Sequence, residues 1–167
     1  MSRILLAGAV LSLVAACDGG APAANVNLGA PAPAFRAAGL AGGEVDFPDG
    51  MAGRPAVIRF WADWCRYCEA EMKAVESVYR RHREAGLTVL AINAGQDRAT
   101  AGAFAEKIGV TYPVLLDESS EIARRYGVVG LPTTFFVDGG GVVRGKIVGE
   151  ADEATFAREA AALLPKP

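Results

Sequence analysis

Phe60-Trp61-Ala62-Asp63-Trp64-Cys65-Arg66-Tyr67-Cys68-Glu69-Ala70-Glu71-Met72 is the stretch on which the reading of this chain turns. Upstream, Ala56 to Trp61 is an apolar run broken only by Arg59, which predicts a buried strand. Downstream the period changes. Cys68, Met72, Val75 and Tyr79 recur at i, i+4, i+7 and i+11, which predicts a helix from Cys65 to Ala85 ended by Gly86. A strand therefore runs through a turn into a helix that carries two cysteines at its start.

That position gives the cysteines a chemistry. At CxxC spacing the two side chains converge and can close a small disulfide ring. The first sulfur faces the unpaired N–H groups and positive dipole end of the helix, which favours thiolate at Cys65, and Arg66 adds a cation beside it. Other uses of two cysteines fit poorly. A haem attachment site needs His after the second Cys, where this chain has Glu69, and the single His82 stands at the far end of the predicted helix, so no metal site is expected. A purely structural bridge over so short a loop would remove little chain entropy. Redox catalysis is the expected use.

Working outward, the pattern alternates strands and helices. Residues 36 to 55, rich in Gly pairs, predict a loose hairpin or loop after the proline-stiffened lead-in Gly29-Ala30-Pro31-Ala32-Pro33-Ala34-Phe35. Strands are predicted over Leu87 to Ile92 and Val114 to Leu116, and helices over Ala101 to Ile108 and Glu121 to Tyr126. Thr133 to Val137 and Val142 to Val148 flank Asp138-Gly139-Gly140-Gly141, a hairpin signal, and Glu153 to Leu164 predicts a last helix capped by Asp152. The class is α/β in one domain.

Composition agrees. The chain has 167 residues, 51% hydrophobic, with 17 basic against 19 acidic side chains and a net charge of −2, which suits no polyanion and argues against nucleic acid as a partner. Three cysteines are too few for a disulfide-rich scaffold. Arg3 followed by the apolar Ile4 to Ala16 is too short to span a bilayer and fits a signal peptide over residues 1–16. Val14-Ala15-Ala16-Cys17 resembles a bacterial lipobox, which implies lipidation at Cys17 and a membrane anchor. The resemblance to enteric lipoproteins then implies, from Asp18, retention at the inner membrane on its periplasmic side. Residues 17–27 read as a flexible tether, its Gly- and Ala-rich part spanning roughly 15–20 Å, ahead of a domain over residues 28–167.

With these motifs in hand, the chain resembles the TlpA/ResA-like branch of thioredoxin-fold thiol–disulfide oxidoreductases. The CxxC segment carries the likeness together with the Gly29–Phe35 lead-in, Tyr112-Pro113-Val114-Leu115-Leu116-Asp117 and Gly127-Val128-Val129-Gly130-Leu131-Pro132-Thr133-Thr134-Phe135-Phe136-Val137-Asp138. The resemblance implies a thioredoxin-like fold, a central mixed sheet flanked by helices with a TlpA-type N-terminal extension. It implies Cys65 as nucleophile, Cys68 as resolving thiol, and a cis bond at Leu131–Pro132 opposite them, with Trp64 beside this substrate-facing surface. Trp61 and Trp64 are expected to pack around the site. Glu71 matches the family's acidic residue below the cysteines; as a partly desolvated carboxylate it could accept the Cys68 proton, or it could be a solvated first-turn Glu.

Two departures stand out. Arg59 lies six residues before Cys65, where thioredoxins place a buried acid; it either pairs with Glu71, tuning the thiols, or reaches out to solvent. Arg66-Tyr67 replaces the family's common Pro-containing dipeptide, which bears on the direction of the reaction, and Lys73 also stands where many members have Pro. The expected activity is reduction of protein disulfides by a monomer, with the Cys65–Cys68 couple as the redox group and no separate cofactor. The resemblance implies a membrane thiol transporter of the DsbD/CcdA kind as electron donor, and cytochrome c maturation as one family role. An oxidase or isomerase using the same pair, and a redox-inactive binding module on the same scaffold, remain the alternative readings.

Overall fold

A computed structural model describes residues 26–165. The signal peptide and Cys17 lie outside the described residues, as does most of the tether. Within them, seven strands form one sheet in the order β2-β1-β5-β4-β3-β6-β7. The strands are β1 (Phe35–Gly39), β2 (Glu44–Phe47), β3 (Ala56–Trp61), β4 (Thr88–Ala94), β5 (Val114–Asp117), β6 (Thr133–Val137) and β7 (Val143–Val148). The helices are α1 (Cys68–His82), α2 (Arg98–Ile108), α3 (Glu121–Arg125) and α4 (Glu153–Leu163). The sheet is mixed: β3, β4 and β5 run parallel, and β6 and β1 run antiparallel to their neighbours.

Alternation along β3 sorts the core into two layers. Ala56, Ile58 and Phe60 point into a cluster with Phe35, Phe47, Ile122, Tyr126 and Phe135, which buries α3 and the N-terminal hairpin. Val57 and Trp61 point the other way, toward Cys68, Met72, Val75 and Val78 of α1, Ala101 and Ala105 of α2, and Phe156 and Ala160 of α4. Adjacent Phe135 and Phe136 likewise serve opposite layers.

Several boundaries differ from the sequence expectation, each for a local reason. The CxxC helix begins at Cys68 rather than Cys65, since the residues from Ala62 form turns whose N–H groups bond back to Ala62 and Cys65 carbonyls. Its last expected residues form a single 3-10 turn over Arg83–Ala85, closed by Gly86 at φ 97°. Helix α2 starts three residues early because the Asp97 carboxylate accepts from the Thr100 N–H, and Asp152 caps α4 the same way through Thr155. Of the hairpin or loop expected over 36 to 55, the structure shows the hairpin, β1 paired with β2 and Gly42 and Gly43 at positive φ in the turn.

The start of the domain also shifts. Val26 is already buried in the aromatic layer, so the folded part begins before residue 28 and the last tether residues belong to it. The Gly29 N–H donates to Val143 O at 2.8 Å, the Val143 N–H to Ala30 O, and Pro31 bridges Val142. Val143 pairs with Val137, which pairs with Ala56 at the start of β3. The chain thus enters at the pole from which β3 departs.

Candidate active site

The other pole, where β3 ends, carries the cysteines. Cys65 and Cys68 are joined in a disulfide with Cα atoms 5.4 Å apart. Cys65 keeps 6% of its surface and Cys68 none (0%), so a partner sulfur meets only the first. The turn that presents them is held from a neighbouring loop: Gln96 Oε1 accepts from the Asp63 N–H and from Asn93 Nδ2, both at 2.9 Å, while its Nε2 donates to the Asp63 carboxylate. Sequence reasoning missed this clamp; its only trace is Asn93, a polar residue that follows the apolar run Val89 to Ile92.

Around the disulfide lies a rim of exposed side chains. Trp64 is 70% exposed, which corrects the expectation that both tryptophans pack around the site; only Trp61 is buried, stacked on Phe104 at 5.2 Å. Tyr67 is partly exposed beneath the Arg66 guanidinium, which lies 5.4 Å from its ring centre. The Leu131–Pro132 bond is cis, Pro132 is buried, and Val129 in the same loop is 95% exposed. Leu131 packs against both core layers.

Beneath the disulfide the site is polar and sealed. Arg59 is fully buried and forms an ion pair through Nη2 with Glu71 Oε2; Nη1 donates to Thr134 Oγ1 at 3.0 Å. Its guanidinium also stands 5.5 Å from the centre of the Phe156 ring. The reading in which Arg59 reaches solvent is therefore wrong, because its odd position in β3 points it under α1 and α4. So is the solvated reading of Glu71, which retains 3% exposure. The other Glu71 oxygen, Oε1, accepts the Ala151 N–H. Both carboxylate oxygens are committed, one to a cation and one to the backbone. No residue type announces a backbone donor such as Ala151, so this contact had no signal in the sequence.

Further residues on the helix are tied down at its surface. Glu69 bridges Lys73 on α1 and Lys107 on α2, which together hold its carboxyl at about 2. Among the described residues no group of three or more His, Cys, Asp or Glu side chains is placed to hold a metal. The arrangement has one reachable sulfur, one shielded sulfur bonded to it, and a proline-bounded strand start beside them, which suits exchange of a disulfide with a second chain.

Comparison with known proteins gives the same chemistry. Residues 28–146 match the AhpC/TSA family. A thiol–disulfide oxidoreductase ResA from Geobacillus thermodenitrificans is 36% identical over 124 residues, 74% of this chain and 71% of the relative. The ResA of Geobacillus kaustophilus is 32% identical over 140 residues, covering 84% and 80%. Among solved structures, a thioredoxin-family thiol:disulfide interchange protein from Chlorobium tepidum superposes with a TM-score of 0.73 at 26% identity, over 81% of this chain and 96% of that one. A secreted Mycobacterium tuberculosis disulfide oxidoreductase, described as homologous to E. coli DsbE, gives 0.70 at 26% identity, over 77% and 96%.

Proposed function

This chain belongs to the AhpC/TSA family and is a thiol–disulfide oxidoreductase with a thioredoxin-like fold, and from that premise we propose that it reduces disulfides of protein substrates. The observation that carries the reading is the asymmetry of the pair, Cys65 at the surface and Cys68 sealed behind it. In the reduced protein the Cys65 thiolate attacks one sulfur of the substrate disulfide. That bond breaks, a mixed disulfide forms, and the first substrate thiolate leaves and takes up a proton. Cys68 then attacks Cys65 Sγ, and the proton it gives up balances the one taken up by the first substrate thiolate. The mixed disulfide breaks, the second substrate thiolate leaves, and two electrons have passed to the substrate.

The backbone at Leu131 offers the extended substrate a place to pair, and Trp64, Tyr67 and Val129 supply apolar contact around it. The Val14–Cys17 sequence supports lipidation at Cys17 and a periplasmic station, with Asp18 favouring the inner membrane. A monomer tethered there would draw electrons from a membrane thiol transporter of the DsbD/CcdA kind, and apocytochrome c is one substrate class that fits. Loss of labelled palmitate incorporation in Cys17→Ser is the expected result for the anchor.

The direction of flow is tested by equilibrating the Cys65–Cys68 couple against glutathione. A potential below about −220 mV is expected for a reductase; one above about −160 mV would reassign the protein to disulfide formation or isomerisation.

A further inference from the structure

A buried arginine is an expensive component of a core, and this one is not even fully satisfied. Arg59 Nε meets no hydrogen-bond acceptor among the described residues, although the side chain is sealed from water. Replacing a buried ion pair by apolar side chains of the same volume is often neutral or stabilising, so stability alone gives little reason for Arg59 and Glu71 to be here. Their placement gives another reason.

The pair closes a circuit of contacts around the site. Arg59 reaches Thr134, two residues past the cis Pro132, and Glu71, one helical turn past Cys68. Glu71 Oε1 takes the Ala151 N–H, and in the same connection the Gly149 N–H donates to Pro132 O at 2.9 Å. The proline loop, the cysteine helix and the β7–α4 connection are thereby fixed to one guanidinium. Each oxygen of the Glu71 carboxylate accepts one bond, the first from a guanidinium and the second from a backbone N–H. The carboxylate one helical turn past the shielded thiol is thus half of an ion pair, whose two charges act on a developing thiolate with opposite sign.

We propose that Arg59 is a positioning residue for the resolving step: by engaging Glu71 it counters the carboxylate's field and so sets how readily the Cys68 thiol ionises. Apart from the Cys65 thiol, whose titration is common to every variant compared, the titratable groups packed nearby do not compete for this role. Tyr112 donates from its hydroxyl to Met72 O on α1, and burial pushes that phenol up beyond the working range. Glu76, further along α1, is occupied by Thr111 and Arg80. Glu150 and Asp152, flanking Ala151, are exposed to solvent. From α4 the Phe156 ring covers Arg59.

The test follows the Cys68 13Cβ resonance of the reduced full chain against pH, in the parent and in Arg59→Met, Glu71→Gln and the double variant. Glu71→Gln leaves the guanidinium without its counter-charge and should move the Cys68 titration at least one unit down, a tenfold gain in thiolate. Arg59→Met should move it up by a similar amount. If Arg59→Met does not fold, the double variant carries the same contrast, since it should titrate well above Glu71→Gln. Shifts of the same sign, or no shift beyond 0.3 unit in either comparison, would overturn the proposal, because a purely structural pair alters melting without splitting the titration. The proposal rests on Cys68 as the resolving thiol, but this titration does not depend on which way electrons flow. It can therefore fail while the reductase reading stands, and survive if the measured potential overturns that reading.

Discussion

On one face of the sheet the rings of Phe35, Phe47, Phe60, Tyr126 and Phe135 pack together with centres 5.2–6.1 Å apart, mostly edge to face, and the one polar tip among them, the Tyr126 hydroxyl, donates to Pro33 O. The other face packs against the disulfide and holds the Arg59–Glu71 pair, with partnerless buried polar atoms at Arg59, Trp61 and Asn93. Among the described residues, alternation along β4 places a single such atom, Thr88 Oγ1, on the first face. A strand that alternates sides cannot choose between these worlds; Phe60 serves the first and its neighbours Arg59 and Trp61 the second. The difference shows how a small domain separates its tasks. The aromatic face supplies apolar burial with few polar demands, and that surplus lets the opposite face hold groups that cost stability and perform chemistry.

The comparison breaks most directly at the cysteines. Cys65→Ser should reduce insulin-disulfide turnover to the uncatalysed rate while the melting temperature changes by only a few degrees; full activity in this variant would restore the redox-inactive binding reading. On the aromatic face the effects should invert. Phe60→Ala is expected to cost about 3–5 kcal/mol in urea unfolding yet leave the reduction potential of the surviving folded protein unchanged. A shifted potential there would show that the two faces are coupled.

Smaller tests sharpen the boundary between them. Glu76 is drawn in two directions, burial raising its carboxyl and the Thr111 and Arg80 hydrogen bonds prevailing to lower it below the usual carboxylate range. Asp138 and the helix caps Asp97 and Asp152 are lowered as well. Groups lowered in the folded state contribute stability that is full above their unfolded values near 4 and lost as the pH falls through the folded ones. The urea midpoint should therefore be level from pH 7 to 5 and fall below pH 4. Glu76→Gln should cost about 1–2 kcal/mol at pH 7 and flatten part of that fall. Smallest of all, Trp64→Ala should alter stability by less than about 0.5 kcal/mol, since the ring is exposed, while raising KM for a protein substrate several-fold. An unchanged KM would remove the rim from substrate contact.

Much of this was legible in the residues. The apolar run of β3 and the helical period of α1 placed the cysteines at a strand–helix junction, and Asp138-Gly139-Gly140-Gly141 marked the β6–β7 hairpin. Arg59 stood out because a charge in a buried strand needs a partner, and Glu71 was within reach on the next element. Less visible were contacts made by backbone groups, such as Ala151 N–H on Glu71, and by residues whose type suits any loop, such as Gln96. Trp64 was misjudged for a related reason. A large aromatic side chain beside a site is as useful to an arriving chain as to the core, and sequence does not say which surface it faces.

The point of entry of the chain has a mechanical consequence. Val26 to Ala32 is fastened at the start of β3, and the disulfide follows its end, the length of a six-residue strand away, roughly 20 Å. An attachment made through the residues before Val26 would grip the domain by its base and leave the reactive sulfur at the tip. A stem attached there would set the height at which exchange occurs, and shortening it would change which partners the tip can meet without touching the chemistry.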